Sequence, residues 1–135
     1  MANALYPKWK EALLQASSDS ALTGTVKVAL IDTGTYTYSA THQYYSDLSG
    51  VVGTPVAISS GKTYTNGVFD GDNITFTAVT GSTAEAIVIY IDTGVPGTSR
   101  LVAYVDTGYT GLPVTPNGGD ISITWDSGAN KIFAL

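Results

Sequence analysis

Asp-Thr-Gly occurs three times, at Asp32-Thr33-Gly34, Asp92-Thr93-Gly94 and Asp106-Thr107-Gly108, each time directly after an apolar run. Aspartic proteases place their catalytic carboxylates in such a setting, where two of them meet and share one proton. The smallest version would be a short all-β homodimer supplying one aspartate per subunit. The flanking residues argue against it. Thr35, Val95 and Tyr109 follow the three glycines, where such enzymes need Ala or Ser to pack beneath the dyad. A protease also needs one such loop per lobe, not three in a single small domain. Turn chemistry accounts for the triplets more simply: an apolar strand exits to solvent, Asp and Thr cap the backbone, and Gly makes the turn.

Asp70-Gly71-Asp72-Asn73 is the next chemical candidate. Two carboxylates and an amide suit calcium, which takes six to eight oxygen ligands. No glutamate closes the segment at the offset a calcium loop requires, and a tight turn explains the same residues. His42 is the single imidazole and cysteine is absent, which leaves little for zinc, iron or a thiol nucleophile. No Gly-x-Ser-x-Gly elbow accompanies His42. Glu11 and Glu85 are the only glutamates, so paired-carboxylate chemistry would fall to aspartates without a defining spacing. No catalytic residue, metal ligand or cofactor site is assigned, and the chain reads as a non-enzyme.

The elements that would hold these residues are strands. Gly24 opens a β-branched segment, 25–31, and the runs 86–91 and 101–105 are almost continuously apolar. Such runs predict central strands covered on both faces. The segments 74–79 and 121–125 alternate with period two, as half-buried strands do. Weaker strand candidates are 35–39, 55–59, 62–69 and 131–134. Segments 70–73 and 126–130 read as hairpin loops, and 41–48 as a turn or short helix. Eight or nine short strands punctuated by Gly, Asp, Asn and Pro predict an all-β antiparallel fold, a single-domain sandwich or jelly roll.

One helix is expected, at the N-terminus. Pro7 suits a first helical position, and Trp9, Ala12, Leu13 and Ala16 follow the i, i+3, i+4, i+7 rule up to Ser17. So short a helix is unstable alone and must dock. The expected organisation is an arm with a short helix over 1–22 and a β domain over 23–135.

Composition narrows the partners. The chain has 135 residues and only 13% charged side chains, with six Lys+Arg against eleven Asp+Glu, for a net charge of −5. Nucleic acid and anionic membrane surfaces both demand clustered cations, so neither is an expected partner. No apolar run approaches the ~20 residues that span a bilayer. The opening residues lack a basic stretch followed by an apolar core, so no signal peptide is expected and synthesis is placed in the cytosol. Nine tyrosines and many threonines on so lightly charged a chain favour packing against neighbours.

Several blocks carry a resemblance. They are Met1-Ala2-Asn3-Ala4-Leu5-Tyr6, then Lys27 to Thr33 with Tyr36-Thr37, and His42-Gln43-Tyr44-Tyr45-Ser46-Asp47-Leu48. Gly67-Val68-Phe69-Asp70 and Thr75 to Gly81 follow, and the stretch from Gly111 through Trp125 with Lys131 to Leu135 is the most similar. On these the chain resembles small virion structural proteins of tailed bacteriophages. The resemblance implies a particle component without catalysis, favouring a capsid decoration (cement) protein on the head surface. Its implied partners are the major capsid protein and itself, as a symmetric homo-oligomer such as a trimer. A tail, connector or baseplate component is the alternative. The expected contact residues are Leu5, Tyr6, Trp9 and Leu13 of the arm and His42, Tyr44 and Tyr45 of the tyrosine-rich loop, because apolar side chains beside a short helix would otherwise lie exposed.

Overall fold

Valine and isoleucine crowd three segments, and these form the centre of the molecule. The computed structural model describes residues 3–135; Met1 and Ala2, the first residues of the resemblance and of the expected arm, lie outside the described residues. Ten strands are present among the described residues: β1 (Ala4–Leu5), β2 (Val26–Ile31), β3 (Val51–Ala57), β4 (Val68–Phe69), β5 (Ile74–Phe76), β6 (Ala86–Ile91), β7 (Leu101–Val105), β8 (Tyr109–Thr110), β9 (Ile121–Trp125) and β10 (Phe133–Ala134). One α-helix, α1 (Pro7–Leu14), lies between β1 and β2, and single 3-10 turns form at Tyr45–Asp47, within the expected turn or short helix of 41–48, and at Thr65–Gly67. The fold is all-β and antiparallel, a small sandwich, as the strand pattern predicts.

The main sheet has the order β1-β7-β6-β2-β3. Every residue of β6 and β7 is buried, so the two continuous apolar runs are indeed covered on both faces. One face receives the rings of the connection between β2 and β3: Tyr45 packs on Tyr90 with centroids 4.7 Å apart, and Tyr38 on Tyr104 at 5.8 Å. The other face shares one buried cluster with the inward residues of two smaller sheets, β5-β9-β8 and β10-β4. There β9 alternates strictly, with Ile121, Ile123 and Trp125 buried and Ser122 and Thr124 exposed.

Several expected elements differ. Residues 35–39 form no strand; the chain turns on Tyr36 N–H to Asp32 O (3.0 Å) and uses Tyr36 and Tyr38 as a cover. The strand expected at 55–59 begins earlier, at Val51, and Pro55 sits on an edge strand, where its missing N–H is harmless. The 62–69 strand is broken by Asn66 (φ 56°) and Gly67 (φ 76°), both left-handed, and β5 stops at Phe76, before Ala78 (φ 49°). Neither 70–73 nor 126–130 closes a hairpin, because the strands on either side pair in different sheets.

Helix α1 starts on Pro7, as expected. It ends in a Schellman motif with Ala16 in the left-handed position (φ 53°): Ser17 N–H donates to Ala12 O and Ala16 N–H to Leu13 O. The arm is no separate unit. Strand β1 pairs with β7, Tyr6 N–H donates to Val102 O at 2.9 Å, and Tyr6 and Trp9 belong to the same buried cluster as β6 and β7.

Candidate interaction surface

The three Asp-Thr-Gly triplets follow β2, β6 and β7. Strands β2 and β7 both run antiparallel to β6, which lies between them. Asp32 and Asp106 therefore leave the same end of the sheet two strand spacings apart, about 10 Å, while Asp92 leaves the opposite end. Within one chain this order keeps the three carboxylates from meeting to share a proton. The side chains instead serve turns. Asp32 Oδ1 accepts from Gly34 N–H (2.8 Å) and Asp92 Oδ1 from Gly94 N–H (3.0 Å). Asn3 Oδ1 accepts from the N–H groups of Asp106 and Thr107, tying the chain start to the third turn. Asp92 also meets Lys27 at 2.9 Å; the ammonium and the Gly94 N–H hold its carboxyl below the ordinary range.

Asp72 and Asn73 are also structural. Asp72 accepts from Ser60 Oγ, its carbonyl accepts from the Trp125 indole N–H (3.0 Å), and Asn73 Oδ1 accepts from Trp125 N–H (3.0 Å). Among the described residues no three of His, Asp and Glu gather closely enough to hold a metal ion, and no helix is long and apolar enough to cross a membrane.

The arm and the tyrosine-rich loop, both singled out from sequence, are brought together. The Tyr6 hydroxyl lies 2.8 Å from the Tyr36 hydroxyl, which lies 2.7 Å from His42 Nδ1. Burial and donation to Tyr36 push the Tyr6 phenol far above its usual range. On the loop, Gln43 and Tyr44 donate N–H groups to Asp47 Oδ2, holding that carboxyl low. Arg100 lies over the Tyr44 ring (5.0 Å) and pairs with Asp19 at 2.9 Å.

This geometry corrects part of the expected contact set. Tyr6 is 0% exposed and Trp9 1%; their own domain covers them, so neither is a free contact residue. The Trp9 indole N–H donates to Ser20 O (2.9 Å), and its ring meets Phe133 edge-on. Leu5, Leu13, His42, Tyr44 and Tyr45 remain half-buried, with Tyr45 packed on Tyr90.

Exposed apolar surface lies on and beside the helix. A cavity of about 210 Å³ opens between α1 and the β4–β10 ribbon, walled by Trp9, Leu13, Phe69 and Phe133 and edged by Leu22, Tyr64 and Leu135. Four large hydrophobic residues are exposed among those described: Leu14 (89%), Leu135, Val95 and Tyr64. Two of them edge this cavity; Leu14, next to Leu13 in sequence, points away from it into solvent. Sequence reasoning passed over Leu14, although an apolar residue opposite the Trp9–Leu13 stripe is itself a signal. Tyr64 and Leu135 carry no comparable local signal.

No protein-family model matches this chain, and no curated protein sequence matches it.

Proposed function

We propose that this chain is a structural component of a tailed-bacteriophage particle, a capsid decoration protein that binds the assembled head and bridges neighbouring major capsid subunits as a homo-oligomer. The observation that carries the proposal is the apolar cavity beside α1, edged by Tyr64 and Leu135, together with Leu14 exposed on the same helix. Clustered exposed apolar side chains on an otherwise well-buried domain mark a protein contact. The resemblance of the sequence blocks to virion structural proteins supplies the kind of particle. The contact set moves accordingly, from Tyr6 and Trp9 to Leu13, Leu14, Tyr64 and Leu135.

Stabilisation then works by mass action. A protein that binds only the assembled lattice lowers the free energy of that lattice and makes its disassembly less favourable. No reaction chemistry is needed, only complementary area at several contacts.

The test is to add the purified chain to heads that lack it and measure bound copies and the heat stability of the heads. Hundreds of copies and a raised melting temperature are expected, with binding at least tenfold weaker for the Leu14→Asp, Tyr64→Ser double variant. Heads that neither bind the chain nor gain stability would reject the proposal. A small ring of copies confined to the tail of intact particles would reject the head assignment.

A further inference from the structure

The hydrogen-bonded chain Tyr6–Tyr36–His42 has one polarity that satisfies all its protons. Tyr6 is fully buried, and among the described residues its hydroxyl has one hydrogen-bonding neighbour, the Tyr36 hydroxyl. Tyr36 is 3% exposed, and its hydroxyl has His42 Nδ1 on its other side. A buried hydroxyl proton without an acceptor is costly. Tyr6 O–H therefore donates to Tyr36, and Tyr36 O–H donates to Nδ1. That requires a neutral imidazole carrying its proton on Nε2.

Protonation of His42 places an N–H on Nδ1. This group donates to the Tyr36 oxygen, and one of the two tyrosine hydroxyl protons then loses its acceptor inside the core. We infer that His42 is a pH-sensitive latch on the N-terminal arm: charging the ring weakens the hold of the domain on Tyr6, and through Tyr6 on β1 and α1.

The ring meets Tyr36, behind which an aromatic cluster gathers from the neighbouring elements. Its own segment supplies Tyr36 and Asp47, whose carboxylate attracts a charged ring, and Tyr38, which packs on Tyr6. Strand β7 supplies Tyr104, 6.4 Å from Tyr36, whose phenol is pushed up by burial and by the carboxylates of Asp106 and Glu85. The arm supplies Tyr6. Arg100, over Tyr44 two residues along, is engaged by Asp19. The latch is a property of the fold and does not depend on what the chain attaches to.

Amide hydrogen exchange on the full chain at pH 7.5 and 5.5, with the His42 ring titration followed by NMR, tests the inference. His42 is the sole histidine, so it is the side chain whose ordinary titration falls in this window. After correction for chemical exchange, protection of the Tyr6 and Trp9 amides should fall about tenfold relative to the Ile89 amide as the ring charges. In His42→Gln, whose Oε1 accepts from Tyr36 but does not titrate, the ratio should stay constant. Tyr36→Phe, which cuts the link and keeps the ring, should also remove the pH dependence and serves if His42→Gln does not fold. Constant protection in the native chain across the His42 titration would overturn the inference, and so would an equal fall in either variant.

Discussion

Replacing Trp9 tests whether the arm is part of the core. The side chain is 1% exposed, donates its indole N–H to Ser20 O at 2.9 Å and meets Phe133 edge-on with centroids 5.7 Å apart. Truncation to alanine in a core costs about 3–5 kcal/mol for a ring of this size. Here the void would join the existing cavity beside α1, to which water has access, so a value of about 3.5 kcal/mol is expected. Unfolding entropy of about 2.1 cal/mol/K per residue over 135 residues makes that a fall of about 12 °C in Tm. Trp9→Phe keeps a ring and loses the hydrogen bond, worth about 1–1.5 kcal/mol, or about 4–5 °C. Thermal unfolding followed by circular dichroism and by Trp125 emission is the assay, and the two transitions should coincide. A shift under about 3 °C for Trp9→Ala (below ~1 kcal/mol) would refute the reasoning. An early transition of the arm that leaves Trp125 untouched would do the same.

Ala16→Gly should raise stability by about 0.5–1 kcal/mol, or about 2–4 °C in Tm, because Ala16 occupies the left-handed helix-ending position at φ 53°; a lower Tm would contradict it. Gly111→Ala should cost more than about 3 kcal/mol, since φ is +124° and a Cβ would sit 2.3 Å from Ser122 O; a urea midpoint near that of the native chain would be inconsistent. Asp47 and Asp92 are held below the ordinary carboxylate range, Asp47 by the Gln43 and Tyr44 N–H groups and Asp92 by Lys27 and the Gly94 N–H. Below about pH 4 the unfolded chain therefore binds more protons than the native one. Stability is full above that point and falls as pH drops through the depressed values. The urea midpoint should decline from pH 5 to pH 2.5, less steeply in Asp92→Asn, and a flat profile would exclude the effect. Leu14→Asp should leave Tm within about 2 °C, because an exposed position away from any buried contact changes stability by ~0.5 kcal/mol or less.

Local pattern was enough where burial is continuous or strictly alternating. The unbroken runs of β6 and β7, the alternation of β9 and the Pro7 start of α1 were legible because each follows from the residue's own neighbours. Non-glycine residues with positive φ were not legible. Asn66 and Ala78 interrupt segments that read as strand, and nothing in their side chains requires it. Sheet membership was hidden for a related reason. The turn-like 70–73 and 126–130 lead from one sheet into another, and only distant pairing, Phe69 with Phe133 and Ile74 with Ile123, settles that.

The arm shows how one correct observation led to a wrong placement. A short helix cannot stand alone, so its apolar stripe must be covered; the sequence does not say by what. The cover is the chain itself. Ser20 O receives the Trp9 indole, Phe133 packs on its ring, and Tyr36, 30 residues beyond Tyr6, meets its hydroxyl. Once Tyr6, Trp9 and Ala12 are used inward, the helix has left for a partner the half-buried Leu13 at the cavity and Leu14, 89% exposed. The same helix that completes the core thus carries the surface best suited to adhesion. A change at buried Trp9 should act through folding, and one at exposed Leu14 through binding. The pair Trp9→Ala and Leu14→Asp separates these: the first should lower Tm, and the second, on the function proposed above, only the copies bound to heads. Equal effects of both on Tm would mean that Leu14 also belongs to the fold.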